Sequence, residues 1–185
     1  MLSVIAREEM MSRGVTILGT VHEVQGAENY RRRKVEDPAY LELVRRLLVD
    51  KDFVFEEASR LGPTKAEQLV REQLGSDHYL DVDPHASERQ AYGIGETGCQ
   101  YLIDPNSGST DSYQQEFESE QSKRENLWLD RVKEVNFANA LLICGYLHTL
   151  SMGYKLRTAE FKVETWTYVP YFKLCPWPHK TEKTY

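Results

Sequence analysis

Two histidines each follow a short apolar run at the same distance from a glycine. His22 comes three residues after Gly19, and His148 comes three residues after Gly145. Each apolar run predicts a buried strand that ends near its glycine. Because parallel strands end at one common edge of a sheet, where ligands bind, we expect both imidazoles to lie on that edge.

A third apolar run brings carboxylates towards the same edge. Residues 53–55 are followed directly by Glu56 and Glu57. Adjacent strand residues point to opposite faces, so at most one of the two carboxylates should enter a shared site. We prefer Glu56, because it follows the apolar run directly. The alternative is that both side chains simply solvate the end of a strand.

Two imidazoles and a carboxylate form a ligand set that suits a divalent transition metal such as zinc or manganese. The predicted ligands are His22, Glu56 and His148, with one coordination position left for water. Such a metal lowers the pKa of bound water to about 7 and supplies hydroxide for hydrolysis. The same histidines, with Glu56 or Glu57, could act as acid and base groups without a metal. Both histidines also have a purely structural interpretation at a turn or a helix start.

Arg124 is a further catalytic candidate. It lies four residues before Trp128 and eight before Val132, which predicts that it shares the inward face of a helix. A guanidinium at the edge of the sheet could bind an anionic substrate group or stabilise a developing oxyanion. The alternative is a side chain whose stem packs along an apolar surface. Asn126 and Arg131 are considered for the same role.

Helix and strand signals alternate along the chain. Asp37-Pro38 and Asp83-Pro84 each have an N-cap residue followed by proline, and Thr64 to Glu67 has the spacing of a capping box. The predicted strands cover residues 15–18, 53–55, 78–83, 141–147 and 161–168. The sequence therefore predicts one α/β domain over residues 1–185, with an open, mainly parallel sheet flanked by helices.

Two segments do not fit this alternation. Residues 106–121 are polar and have few aliphatic side chains, which predicts an exposed, mobile segment that is partly helical at best. Because it leads into Arg124, it could act as a lid, and a helix is expected only from about residue 123 to 138. Residues 175–185 are predicted to form an irregular tail.

Composition restricts the class of protein and its partners. The chain has 185 residues, of which 41% are hydrophobic, and a net charge of −6, which argues against a nucleic-acid partner. The apolar runs fall below the roughly 18 residues needed to span a membrane, and the N-terminus lacks the apolar core of a secretory signal. Three cysteines without paired spacing predict reduced thiols and a cytoplasmic protein.

The candidate motifs resemble, in order, those of the TraB/TIKI family and, more distantly, erythromycin-esterase-like and ChaN-like proteins. The resembling segments are Gly19-Thr-Val-His22, Phe55-Glu56, Arg124-Glu-Asn126 with Trp128, and Cys144-Gly-Tyr-Leu-His148. The resemblance implies an α/β fold, with His22, Glu56 and His148 as ligands or acid/base groups beside Arg124. Relatives include metal-dependent proteases, ester hydrolases and haem-binding proteins, so the resemblance supports the fold better than one reaction.

The predicted function is a metal-dependent hydrolase. Its substrate would be a small molecule or peptide with an ester or amide bond, and water would be activated beside the two strand-end histidines. The alternative is a ligand-binding or regulatory protein that keeps the scaffold without turnover. Neither the substrate nor the oligomeric state follows from the sequence.

Overall fold

The computed structural model describes residues 13–26, 37–58, 62–94 and 110–170, with side chains from residue 118 onwards in the last range. These residues alternate between strands and helices. The strands are β1 (Gly14–Thr20), β2 (Phe53–Glu56), β3 (Tyr79–Asp81), β4 (Asn139–Gly145) and β5 (Lys162–Tyr168). The helices are α1 (His22–Gln25), α2 (Pro38–Leu48), α3 (Lys65–Gln73), α4 (Ala86–Ala91), α5 (Thr110–Glu134) and α6 (Thr149–Thr158).

The five strands form one sheet in the order β3-β2-β4-β1-β5, and each pair of neighbours is parallel. The predicted open, mainly parallel α/β sheet is therefore confirmed. Strand β1, next to the central β4, pairs with β4 on one side and β5 on the other, so that Gly19 lies opposite Cys144 and Thr167. Buried apolar side chains along β1 and β4 explain why these two strands occupy the middle of the sheet.

Helices cover both faces of the sheet. On one face α2 and α3 pack against the strands through a cluster that includes Leu18, Tyr40, Val44, Val54 and Val70. On the other face α5 and α6 pack through a second cluster that includes Ile17, Phe55, Trp128, Leu142 and Leu156. Alternate residues of one strand enter different clusters, as the pleat of a strand requires.

The sheet reverses its direction of winding between β1 and β4. The connection from β1 to β2 contains α2, which packs on one face of the sheet. The connection from β4 to β5 contains α6, which packs on the opposite face. The carboxyl ends of β1 and β4 therefore border the crevice in which open α/β sheets bind ligands. His22 and His148 directly follow these two strands.

Two of the three predicted helix caps are confirmed. The Asp37 side chain accepts a hydrogen bond from the Tyr40 N–H, and that of Thr64 accepts one from the Glu67 N–H. The predicted cap at Asp83 is wrong, because α4 begins later and has His85 as its N-cap. Asp83 instead binds two arginines.

Several predicted boundaries are corrected. The third strand is shorter than predicted: it begins after a 3₁₀ turn at Ser76–His78 and ends at Asp81. The fourth strand ends at Gly145 because Tyr146–His148 forms another 3₁₀ turn. The helix expected from residue 123 begins at Thr110, so residues 110–121 of the predicted mobile segment are helical. Their Glu and Gln residues favour helix, and the polarity that suggested a loop belongs to a polar helix.

Other predictions concern residues outside the described ranges. These are the positions 106–109 of the polar segment, the tail 175–185, and two of the three cysteines. The remaining cysteine, Cys144, is buried in β4 as a free thiol, and burial raises its pKa well above the usual value. In the part of the chain that the structure describes, no helix combines the length and the apolar composition needed to cross a membrane.

Candidate functional site

Both strand-end imidazoles face one oxygen of Glu57. His22 begins α1 directly beyond β1, and its Nε2 lies 3.7 Å from Glu57 Oε1. His148 ends the 3₁₀ turn beyond β4, and its Nε2 lies 3.8 Å from the same oxygen. Glu57 is buried, whereas a quarter of the His22 side chain is exposed (25%). Solvent therefore reaches this cluster at His22.

Gly145 makes this close approach possible. Its backbone N–H donates to Glu57 Oε2 at 2.7 Å, which fixes the carboxylate at the end of β4. A Cβ at this position would lie 3.2 Å from His22 Nε2 and 3.4 Å from His148 Cδ2. The glycine that the sequence places before His148 thus leaves room for both imidazoles.

The hydrogen bond at the far side of the His22 ring fixes its tautomer. His22 Nδ1 lies 2.7 Å from Gln25 Oε1, one turn further along α1. The amide nitrogen of Gln25 donates to Glu56 Oε1 at 3.1 Å and to the Glu57 carbonyl at 3.3 Å, which orients the amide. An amide oxygen can only accept, so His22 Nδ1 carries a hydrogen, and in the neutral ring the lone pair is on Nε2.

His148 is held in a similar way, but by a carboxylate. Its Nδ1 donates to Glu125 Oε1 at 2.9 Å, and Glu125 is itself fixed by Ser151, whose hydroxyl donates at 2.5 Å. Lys155 Nζ lies 3.8 Å from the other oxygen of Glu125. The Trp128 ring packs edge-on against the imidazole with ring centroids 4.8 Å apart. Helices α5 and α6 therefore position His148 between them.

Arg124 joins the histidine cluster to Asp83. Its Nη2 donates to Glu57 Oε1 and to Asp83 Oδ1, both at 2.7 Å, and its Nε donates to Asp83 Oδ1 at 3.2 Å. Arg89 Nη2 donates to the other Asp83 oxygen at 2.5 Å. The guanidinium of Arg124 also lies over the Trp128 ring, 5.3 Å from its centroid. Arg124 thus reaches the edge of the sheet formed by the carboxyl ends of the strands, where two carboxylates bind it.

These charges keep Glu57 ionised. Burial alone raises the pKa of its carboxyl, but His22 and His148 in their protonated forms, Arg124 and the Gly145 N–H favour the charged form and together lower the pKa to about 2. Burial opposes the charge of Arg124 as well, yet Glu57 and Asp83 outweigh it and raise the pKa of the guanidinium. Glu57 is therefore a buried carboxylate that stays negative.

Glu56 points to the opposite face and has different neighbours. Its Oε2 accepts hydrogen bonds from Thr64 Oγ1 at 2.5 Å and from the Tyr79 hydroxyl at 2.8 Å, and its Oε1 accepts from Gln25. The side chain is fully buried (0% exposed), and burial raises the pKa of its carboxyl to about 8 despite these bonds. Burial and the nearby Glu56 raise the pKa of Tyr79 too.

The contacts favour Glu57 over Glu56 as the carboxylate of the site. Val54 packs in the α2–α3 cluster and Phe55 in the α5–α6 cluster, so the alternation places Glu56 on the first face and Glu57 on the second. A hydrogen bond from the Glu57 N–H to the Ile143 carbonyl continues the β2–β4 pairing by one residue. Glu56, the residue nearest the apolar run, therefore lies on the face of the sheet opposite to that of Glu57.

Other candidates lie beside the cluster or outside it. Asn126 Oδ1 accepts from Lys155 at 2.5 Å, and Arg131 donates to the Val82 carbonyl and to Glu88, so both brace helix α5. His78 is exposed and bonds to the Asp52 carbonyl. Sequence reasoning missed Gln25 and Glu125 as partners of the histidines. Their positions, three residues after His22 and next to Arg124, were the only sequence signals that could have suggested this role.

The donor types fit a transition metal, but their arrangement fits it less well. Among the described residues, no group of three or more His, Cys, Asp or Glu side chains is arranged to hold a metal ion. Glu57 Oε1 already accepts from Arg124, and a guanidinium at 2.7 Å would repel a cation bound to that oxygen. The Nδ1 partners of both imidazoles nevertheless have the form that supports metal-binding histidines.

A cavity of about 330 Å³ opens next to this cluster, between α5 and α6. Its lining includes His148 and its partners Glu125, Ser151 and Lys155, together with Leu147 and Gln121.

Comparisons of the chain with protein families, with curated proteins and with solved structures found no match.

Proposed function

We propose that this protein hydrolyses ester or amide bonds, with His22 as general base and His148 as general acid on either side of Glu57. The observation that carries the proposal is the approach of both Nε2 atoms to Glu57 Oε1, at 3.7 and 3.8 Å. Each ring has its Nδ1 hydrogen held by an acceptor, so both reactive nitrogens are oriented before a substrate arrives.

His22 supplies the base because it is the exposed member of the pair and its Nδ1 partner is a neutral amide. A water molecule at Nε2 would lose a proton to the imidazole while its oxygen forms the new bond to the carbonyl carbon. Glu57, ionised and fixed by Arg124 and Gly145, would stabilise the imidazolium that forms.

His148 supplies the acid because carboxylates lie at both of its nitrogens. With Glu125 at Nδ1 and Glu57 near Nε2, an imidazolium here has charge compensation on either side. Its Nε2 proton would pass to the leaving oxygen or nitrogen as the single bond between that atom and the carbonyl carbon breaks. Proton return from His22 to His148 through solvent completes the cycle.

In this scheme Arg124 is a positioning residue for Glu57. Its side chain is only 14% exposed and its guanidinium already binds two carboxylates, so its contacts do not support a role in binding an oxyanion. The predicted divalent metal, zinc or manganese, stays a prediction. His22, His148 and Glu57 would hold it, and when bound it would supply a Lewis acid and a more acidic water.

A ligand-binding protein without turnover is the second candidate. It is favoured by the saturation of the cluster, since both oxygens of Glu57 and of Asp83 accept hydrogen bonds from within the protein. Such a protein would use the crevice to recognise a polar ligand, with Arg124 and Glu57 as a rigid floor.

Hydrolysis of a panel of aryl esters, alkyl esters and short peptides separates these functions. The wild type is assayed after chelation and again with added zinc or manganese. We expect His22→Ala to lower kcat/KM by about 10²-fold or more. His78→Ala is the matched control, because it removes an exposed histidine that bonds to the Asp52 carbonyl outside the cluster. It should retain full activity.

Two outcomes would change the proposal. Activity that appears only with added metal would replace the metal-free scheme by the metal-dependent one. Absence of hydrolysis from the whole panel, with and without metal, would leave the ligand-binding function.

A further inference from the structure

A hydrogen-bonded relay runs from a buried carboxyl group to the exposed imidazole of the site. Glu56 Oε1 accepts from Gln25 Nε2 at 3.1 Å, and Gln25 Oε1 lies 2.7 Å from His22 Nδ1. Gln25 is only 2% exposed although it belongs to a helix of a single turn. A polar side chain buried this completely needs partners for both ends of its amide, and the relay provides them.

The orientation of the Gln25 amide is over-determined. Its nitrogen has two acceptors, a Glu56 carboxyl oxygen and the Glu57 carbonyl oxygen, and the carbonyl can only accept whatever the protonation of Glu56. Rotating the amide by 180° would bring its oxygen against both of these oxygens. The oxygen must therefore face His22, which must place its hydrogen on Nδ1.

Glu56 is itself anchored on the far side of the relay. Thr64 and Tyr79 donate to Oε2, and the Thr64 hydroxyl accepts from the Glu67 N–H, so its hydrogen points to Glu56. Burying a carboxyl group within an apolar layer is costly without such partners. The relay thus ties the start of α3 and strand β3 to the ring of His22.

We propose that Gln25, oriented by Glu56 and the Glu57 carbonyl, is the positioning residue that holds His22 in the Nδ1–H tautomer. This tautomer directs the Nε2 lone pair towards Glu57, where the base must act. The catalytic consequence rests on the proposed function. The tautomer of His22 does not depend on it and can be measured without a substrate.

The test is a two-bond ¹H–¹⁵N correlation spectrum of ¹⁵N-histidine-labelled protein, assigned by His22→Ala. In the wild type we expect the neutral form of His22 to have a protonated Nδ1 and an unprotonated Nε2. Gln25→Met keeps the length of the side chain and removes both hydrogen bonds of the amide. We expect this variant to shift His22 to the Nε2–H tautomer and to lower kcat by about 10-fold or more, with little change in KM.

Gln68→Leu is the matched control, because Gln68 is exposed on α3 and the change also removes an amide. It should leave the His22 spectrum and kcat unchanged. An Nε2–H tautomer of His22 in the wild type would overturn the proposal without any variant. So would an unchanged tautomer in Gln25→Met. If Gln25→Met shifts the tautomer while the wild type hydrolyses nothing, the positioning role stands and the proposed hydrolase fails.

Discussion

Arg124 Nη2 lies 2.7 Å from Glu57 Oε1, the same oxygen that both imidazoles face. This ion pair joins helix α5 to the end of β2, and a second bond from Arg124 extends it to Asp83. The cation compensates two carboxylates that are each only 2% exposed. The arrangement of the candidate site therefore depends on one largely buried arginine, whose side chain is 14% exposed.

Removal of this arginine should destabilise the protein strongly. Arg124→Ala leaves Glu57 and Asp83 buried without their shared cation, and we expect the free energy of unfolding to fall by about 3–5 kcal/mol. Arg45→Ala, in an exposed residue that pairs with Glu42 at 3.9 Å, should change it by less than about 0.5 kcal/mol. Urea denaturation of both variants measures the difference. Similar small losses in the two would show that the buried pair has little energetic weight.

Glu57 should make stability fall in acid. Its pKa in the folded protein is about 2, below the ordinary 4.5, so the folded state favours the ionised form. The resulting stabilisation is present above about 4.5 and is lost as the pH falls towards about 2. Glu57→Gln should be less stable than the wild type at neutral pH, and the difference should shrink in acid. Denaturation curves from neutral pH down to about 3 test this, and a constant difference would contradict it.

Glu56 should have the opposite pH dependence, although it is the adjacent residue. Its folded pKa is raised from 4.5 to about 8, so the folded state favours the protonated form. As the pH rises between these two values, the unfolded chain ionises first and the free energy of unfolding falls by about 1.4 kcal/mol per pH unit. Glu56→Gln cannot ionise and should gain stability relative to the wild type over this interval. A difference that stays flat with pH would refute the assignment.

Gly145→Ala should harm the site more than the fold. The new Cβ would lie 3.2 Å from His22 Nε2 and 3.3 Å from Glu57 Oε2, so these side chains would have to move by a few tenths of an ångström. Gly145 has a φ of −55°, so the backbone accepts alanine. Gly153→Ala is the matched control, because its Cβ would meet neighbours at 3.4 Å or more. Alanine within α6 should raise the free energy of unfolding by about 0.5–1 kcal/mol. We expect only the first change to reduce hydrolysis, and Tm with activity for both variants provides the test.

Much of the framework could be predicted from local patterns. The apolar runs before His22 and His148 define β1 and β4, and the caps at Asp37 and Thr64 depend on neighbours three residues away. Only the second half of helix α5 could be predicted in this way, because its first half has a polar composition that also suits a loop. Asp83 shows the same limit. Asp83-Pro84 has the pattern of a helix cap, but the Asp83 side chain instead binds two arginines whose proximity the sequence does not reveal.

Local sequence was enough to predict that two imidazoles and a carboxylate meet at one edge of a parallel sheet, because strand ends and side-chain types are local properties. Which carboxylate it is depended on packing between distant parts of the chain. Glu57 and Arg124 are 67 positions apart, and His148 and Glu125 are 23 apart. Such pairs exist only once the helices have packed on the sheet, since a shift of one residue along β2 would have turned Glu57 away and Glu56 inward.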